Sequence, residues 1–135
     1  MASSPTKVPS NCDTDHKSKA EHDKETAQIL LNNGKFPDWV ITCSFYFALH
    51  CVDAYAHKHG VQDFKPALGE RISAHKKRER YVWNALRSYF NSYSRLLDVS
   101  TQARYDPQYF TLVSKYAPKV PEKLFKEAEL FTKLL

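Results

Sequence analysis

The placement of helix-breaking residues constrains this chain more than any other feature of its sequence. Glycine occurs only at Gly34, Gly60 and Gly69, and neither glycine nor proline occurs between Ile72 and Asp106. Glycine and proline are the residues least compatible with a helix interior, so stretches without them favour helices. The apolar residues in these stretches recur with helical spacing rather than with the alternation of a strand. The sequence therefore predicts an all-α protein.

The periodic segments between the breakers predict the individual helices. Four main helices are expected over about 13–32, 38–59, 71–86 and 89–105, followed by a short fifth over 109–116 and a last helical stretch from Pro121 to Leu135. The second helix, with Asp38 expected as its N-cap, is apolar on most sides and should lie centrally. Residues 1–12 contain two prolines and are expected to form a flexible tail. Residues 13–135 should then form a single domain, an antiparallel up-and-down bundle of four main helices plus a short fifth.

Cysteine usage and hydropathy bear on the compartment in which the protein works. Three cysteines are an odd number for a disulfide framework, and the chain has no CxxC pair of the kind that holds structural zinc. The first residues lack the apolar core of a signal peptide, and the longest apolar-rich run, Trp39 to Val52, is too short to span a membrane. We therefore expect a cytoplasmic protein without a membrane segment, and we expect no metal or other cofactor.

Positive charge and aromatic rings are concentrated in residues 65–95. This segment has eight Lys or Arg against two Glu, a local net charge of +6, whereas the whole chain carries +5. Cations interleaved with aromatic side chains suit contact with phosphates and stacking on bases. The candidate nucleic-acid contacts are Lys76, Lys77, Arg80 and Arg87. The alternative interpretation is a solvated helix face whose aromatic residues turn into the core.

A polar stripe runs along the otherwise apolar second helix. Its members share one face at alternating three- and four-residue spacing and are Cys43, Tyr46, His50, Asp53 and His57. An aspartate in an apolar bundle needs a partner, because an isolated buried charge is strongly unfavourable. Arg104 is the best-placed partner on sequence grounds, because the stripe of the fourth helix continues through Ser100 to Arg104. Such an ion pair would either fix the register of the helices or organise a functional pocket.

The functional interpretation is a polar pocket in which two imidazoles serve as acid and base and an arginine stabilises a phosphate. Its candidate catalytic residues are His50, His75 and Arg104, and its polar pocket or structural-pair residues are Asp53, Arg78, Ser100 and Tyr105. A metal site of His50, Asp53 and His57 is a further alternative, although the Glu-x-x-His pairs typical of metal-binding bundles are absent from the central helix. The remaining histidines, His16, His22 and His59, are expected to be solvated surface residues.

The most distinctive runs of the chain are SFYFALHCVDAYAHKHG, AHKKRERYV and SYSRLLDVSTQARYD. In this order, over about residues 38–106, they resemble the HEPN superfamily, the nucleotide-binding domain of higher eukaryotes and prokaryotes. The resemblance implies an antiparallel helical bundle that commonly forms homodimers. Many such domains are metal-independent ribonucleases of defence or toxin–antitoxin systems. Others are inactive modules that bind RNA or nucleotides, often beside a nucleotidyltransferase partner protein.

Catalytic members of that superfamily carry an arginine and a histidine with about four to six residues between them. Here Arg71 precedes His75 with only three residues between them, so the ribonuclease motif does not carry over. The positions that match the forms this chain most resembles are His50, Asp53, His75, Arg104 and Tyr105. We therefore expect a dimeric RNA- or nucleotide-binding or accessory module. A metal-independent ribonuclease with non-standard spacing and a structural protein-interaction subunit are the alternatives.

Overall fold

The computed structural model describes residues 12–135 and contains helices but no strand within that range. The helices are α1 (Cys12–Asn33), α2 (Pro37–Lys58), α3 (Ala74–Ala85), α4 (Phe90–Tyr105), α5 (Pro107–Tyr116) and α6 (Val120–Glu129), with 3₁₀ turns at Arg87–Tyr89 and Leu130–Leu134. The prediction of an all-α bundle is confirmed. All six predicted helical segments form, and the last one, predicted from Pro121, is α6 with the 3₁₀ turn that follows it. The predicted tail over 1–12 lies outside the described residues except for Cys12.

Local sequence signals set the ends of the first two helices. The chain leaves α1 at Gly34, whose φ of 77° is accessible to glycine at little cost, and the Gly34 N–H donates to the Leu30 carbonyl at 3.1 Å. Pro37 is the first residue of α2, where its missing N–H has no helical partner to lose. Asp38 lies inside the first turn rather than at the N-cap, which is Phe36, so that prediction is wrong by two residues.

A side-chain cap decides where α3 begins. The Ser73 hydroxyl accepts a hydrogen bond from the Lys76 N–H at 3.1 Å and so satisfies one of the free donors of the first turn. The helix therefore begins at Ala74, and the predicted start at Arg71 is wrong by three residues. The 3₁₀ turn at Arg87–Tyr89 separates α3 from α4, as the two predicted segments require.

The central position predicted for the second helix is confirmed. Thirteen of the 22 residues of α2 are buried, and α2 packs against α1, α4, α5 and α6. A connection of three residues joins α1 to α2, so the two form an antiparallel hairpin. The largest fully buried rings are Phe45, Phe47, Tyr93 and Phe131, and Tyr93 of α4 contacts both Phe45 of α2 and Phe131 of the C-terminal turn. Within residues 12–135, no helix has both the length and the apolar character needed to cross a bilayer.

Candidate functional site

The buried carboxylate of the α2 stripe is held by an arginine of α3. Asp53 is 6% exposed, and the Arg78 guanidinium donates from Nε to Oδ1 at 2.8 Å and from Nη2 to Oδ2 at 3.0 Å. This two-point geometry matches the fork of a guanidinium to both carboxylate oxygens. The guanidinium carbon also lies 5.3 Å from the centre of the Phe64 ring, which belongs to the connection between α2 and α3. The prediction that Arg104 pairs with Asp53 is therefore wrong.

Arg104 instead fastens the end of α4 to an earlier part of α2. Its Nη1 donates to the Tyr46 hydroxyl at 2.7 Å, and its Nε donates to the Ser100 carbonyl of its own helix at 3.2 Å. The guanidinium also lies between 5.3 and 5.8 Å from the ring centres of Phe45, Tyr46 and Tyr105. Tyr46 precedes Asp53 by seven residues, about 10 Å along the helix axis. That offset puts Arg104 at a different level of α2 from the buried carboxylate.

Two other predicted pocket residues do not enter a shared cavity with Asp53. Ser100 is fully buried, and its hydroxyl donates to the Leu97 carbonyl within α4 at 3.0 Å. Tyr105 is 74% exposed at the end of α4. The predicted single pocket is thus divided into one cluster around Asp53 and another around Arg104.

Histidines of two helices meet beside Asp53. The Nδ1 atoms of His16 on α1 and His50 on α2 are 3.1 Å apart, and the two rings stack with their centres at 5.4 Å. His16 Nδ1 also lies 3.9 Å from Asp53 Oδ2. The His16 side chain is only 28% exposed, so its prediction as a solvated surface residue is wrong.

The α1 sequence contains a signal that would have placed His16 correctly. Residues His16, Ala20, Asp23 and Ala27 follow a 4-3-4 spacing, and the last three are buried against the bundle. Extending the apolar stripe of the C-terminal half of α1 backwards therefore brings His16 onto the same face. Charged residues on both sides of His16 in the sequence make this apolar stripe difficult to recognise.

A second buried carboxylate lies on the far side of His50. Asp23 of α1 is 6% exposed, and its Oδ1 accepts from Lys19 Nζ at 3.1 Å and contacts His22 Nδ1 at 3.2 Å. Its Oδ2 lies 3.9 Å from His50 Nε2. Burial lowers the pKa of His50, although the charges of Asp53 and Asp23 act in the opposite direction. The His50 ring is therefore biased towards its neutral form, with one nitrogen carrying a lone pair.

His75 lies in the first turn of α3, against a different part of α2. Its ring centre is 5.8 Å from that of Phe45, and its Nδ1 is buried without a hydrogen-bond partner among residues 12–135. Burial lowers the pKa of His75, and the positive charges of Arg78 and Arg104 lower it further. His75 thus lies in the field of both arginines, whereas His50 packs with His16.

The outward side of α3 carries the predicted nucleic-acid contacts. Lys76, Arg80 and Trp83 are exposed and recur at i, i+4 and i+7, which places them on one side of α3, and the exposed Arg87 follows in the 3₁₀ turn after the end of this helix. We call these four residues the α3 face. The Arg87 guanidinium lies 4.1 Å from the centre of the Trp83 ring, and Trp83 meets Phe90 edge-on at 4.9 Å. One shallow cleft is lined by Lys76, Glu79, Arg80, Trp83, Asn84 and Phe90, and within it Lys76 Nζ lies 3.7 Å from Glu79 Oε1.

Both interpretations of the basic segment are represented in the structure. Tyr93 is fully buried, as the alternative of inward-turned aromatic residues predicts, whereas Trp83 is 46% exposed among the cations. Lys77 lies away from the α3 face, because its Nζ donates to Glu70 Oε1 at 2.9 Å and to the Lys65 carbonyl at 3.3 Å. Three of the four predicted contacts therefore lie near one exposed indole ring, with Arg87 packed against it.

Comparison with known proteins adds no external guide to this site. No protein-family model, curated protein or solved structure matches the chain. The geometry offers a cluster of His16, His50 and Asp53 with the ligand types that metals use, and an exposed cationic and aromatic face on α3. The first is partly buried between helices, and the second is open to solvent.

Proposed function

We propose that this protein binds single-stranded RNA through the α3 face, as a non-catalytic module of the HEPN type. The observation that carries the proposal is the half-exposed Trp83 ring, which packs against the Arg87 guanidinium and shares a cleft with Lys76 and Arg80. An exposed indole is unfavourable in water and is a stacking platform for any base. Three cations beside it supply contacts to the phosphates that flank a stacked base.

The dimensions of the α3 face suit an extended strand. Lys76 and Trp83 are seven residues apart on α3, which is about 10 Å along the helix axis, and Arg87 extends the face into the following 3₁₀ turn. Base stacking on one aromatic ring contributes about 1–3 kcal/mol to binding, and it does not depend strongly on the base. Binding should therefore be strongly dependent on salt and weakly dependent on sequence.

The arrangement of the arginines supports binding rather than cleavage. Arg78 directs two donors at Asp53, and Arg104 directs donors at Tyr46 and the Ser100 carbonyl. A ribonuclease needs a cation and an acid–base pair that converge on the scissile phosphate. These two guanidinium groups already serve helix packing, which favours an accessory role over catalysis by His50 and His75.

The setting in which the module would act follows from the resemblance alone. We propose a homodimer, with a mass in solution of twice the 15.6 kDa of the chain, that works in the cytoplasm. A nucleotidyltransferase-type partner protein and a role in a defence or toxin–antitoxin system belong to the same proposal. Light scattering on the purified protein measures the dimer directly.

Fluorescence of Trp83 provides the test of RNA binding. In a Trp39→Phe background Trp83 is the sole tryptophan, and titration with oligouridylate should quench its emission at about 50 mM salt. Arg80→Ala should weaken binding about eightfold at that salt concentration, because each phosphate contact on a single strand contributes about 0.7 to the logarithmic salt slope. The matched control is Lys123→Ala on α6, which removes one exposed cation elsewhere and should leave the affinity within about twofold.

Two outcomes would overturn the proposal. Absence of quenching at low salt would favour the structural-subunit alternative. Shortening of the RNA in the presence of EDTA, abolished by His75→Ala, would instead establish a metal-independent ribonuclease. RNA that is recovered intact after saturable, salt-dependent quenching supports the binding module.

A further inference from the structure

Three ligand-type atoms from two helices converge beside the centre of α2. They are one ring nitrogen each from His16 and His50 and one carboxylate oxygen of Asp53, and all lie within 4.8 Å of one another. His16 and His50 are partly buried, and Asp53 is buried. The cluster differs from the site considered on sequence grounds, because His16 of α1 takes the place of His57.

The spacing of these atoms is close to that of ligands on one metal ion. Imidazole nitrogens bind Zn²⁺ at about 2.0–2.1 Å, so two of them in a tetrahedral site lie about 3.3 Å apart. The two Nδ1 atoms are 3.1 Å apart, and the Asp53 Oδ2 atom is 3.9 Å from His16 Nδ1. The two nitrogens are therefore slightly closer together than two ligands of one tetrahedral Zn²⁺, and the carboxylate oxygen is about 0.6 Å farther from His16 Nδ1.

The polar groups around the cluster resemble the hydrogen-bond partners that usually orient metal ligands. Metal-binding imidazoles commonly direct their second nitrogen at a carboxylate, and metal-binding carboxylates are themselves hydrogen-bonded. Asp23 Oδ2 lies 3.9 Å from His50 Nε2, and within residues 12–135 this buried oxygen has no hydrogen-bond partner. Coordination through His50 Nδ1 would require the proton on Nε2, the nitrogen that faces this unsatisfied oxygen.

Arg78 leaves room on Asp53 for a metal ion. An ionised carboxylate offers about four lone-pair positions, and Arg78 uses one on each oxygen. The same two hydrogen bonds hold the carboxylate plane fixed, with Oδ2 towards His16. Asp23, which pairs with Lys19 through Oδ1, directs its second oxygen at His50 Nε2.

We propose that His16 and His50, each through Nδ1, and Asp53, through one carboxylate oxygen, form a site for a divalent transition metal such as Zn²⁺. Two imidazoles and one carboxylate suit Zn²⁺ and its neighbours in the first transition row, whereas Mg²⁺ and Ca²⁺ prefer oxygen ligands alone. The site joins α1 to α2, so metal binding stabilises the packing of the N-terminal helix. This inference is independent of the α3 face and of RNA binding.

Co²⁺ is the probe for the test, because its visible absorption reports coordination directly. Protein without a polyhistidine tag, stripped with chelator, should bind one Co²⁺ per chain and release it to added Zn²⁺. His16→Ala should weaken Co²⁺ binding by more than about 100-fold. Asp23→Asn should weaken Co²⁺ binding by about 10- to 100-fold, as expected for a carboxylate that orients a metal-binding imidazole. His59→Ala is the matched control, because His59 is exposed just after α2 and contacts Tyr55 in the last turn of that helix.

A second measurement keeps the proposal testable if a variant fails to fold. In the wild-type protein Co²⁺ should shift the imidazole proton resonances of His16 and His50 well outside the ordinary range, while those of His59 stay in place. The proposal is overturned if wild-type protein binds no Co²⁺ above the level of the chelated blank. It is also overturned if His16→Ala, folded by circular dichroism, binds Co²⁺ with wild-type affinity.

Discussion

Removal of the Arg78 side chain should destabilise the fold more than removal of Arg104. The side chains of Arg78 and Asp53 are only 17% and 6% exposed, so Arg78→Ala leaves a carboxylate buried without its cation. Breaking a buried ion pair from one side costs about 3–5 kcal/mol of unfolding free energy. The lower end applies here, because His16 lies 3.9 Å from Asp53 Oδ2 and water can enter the vacated space. We therefore expect a loss of about 3 kcal/mol.

Urea unfolding followed by circular dichroism, with EDTA present, measures this loss. With a slope of about 2 kcal/mol per molar urea, Arg78→Ala should lower the midpoint by about 1.5 M. A double-mutant cycle isolates the pair: Asp53→Ala and Arg78→Ala should show a coupling energy of about 2 kcal/mol. Asp53→Ala and Arg104→Ala should be additive to within about 0.5 kcal/mol, because Arg104 bonds to Tyr46 instead.

The cycle can refute the assignment of partners. A coupling energy below about 0.5 kcal/mol between Asp53 and Arg78 would show that the two-point pair does not form in solution. An equal or larger coupling between Asp53 and Arg104 would restore the pairing that sequence spacing alone favours.

Three further predictions concern buried side chains. Tyr93→Phe should raise the unfolding free energy by up to about 1 kcal/mol in urea titrations, because within residues 12–135 its buried hydroxyl has no hydrogen-bond partner; a loss of more than 1 kcal/mol would reveal an important partner. Because the pKa of His75 is lowered in the folded protein, the unfolded chain binds a proton at His75 at higher pH than the folded chain does. The free energy of unfolding should therefore fall as the pH drops through and below about 6.5, and it should fall less in His75→Gln. An equal fall in both proteins would contradict this prediction. Burial raises the pKa of Cys51 to about 12, so this thiol should resist iodoacetamide at pH 8 until urea unfolds the chain. In a Cys12→Ser, Cys43→Ser background Cys51 is the sole cysteine, and labelling of that native protein would count against its burial.

Features of the fold that depend on neighbouring residues in sequence could be predicted. The all-α class and the central place of α2 follow from helical periodicity, and Gly34 ends α1 because of backbone sterics that act locally. The start of α3 was predicted too early, because the pattern was extended to Arg71 without using Ser73 as an N-cap. That signal was present in the sequence.

The partners within the candidate site could not be read from spacing along one helix. The sequence shows that Asp53 needs a cation, but the choice between Arg78 and Arg104 depends on which level of α2 each helix crosses. That level is set by the packing of rings such as Phe45 and Tyr93, which no single stripe encodes. The exposure of Trp83 among inward-turned aromatic residues is likewise a tertiary property.

The dependence of RNA affinity on salt tests the central claim most directly. Three phosphate contacts from Lys76, Arg80 and Arg87 on a single strand predict that the logarithm of the association constant falls with the logarithm of salt concentration with a slope of about −2. Removal of one contact in Arg80→Ala should change the slope to about −1.4. A wild-type slope near zero, or a slope that Arg80→Ala leaves unchanged, would contradict RNA binding through the α3 face.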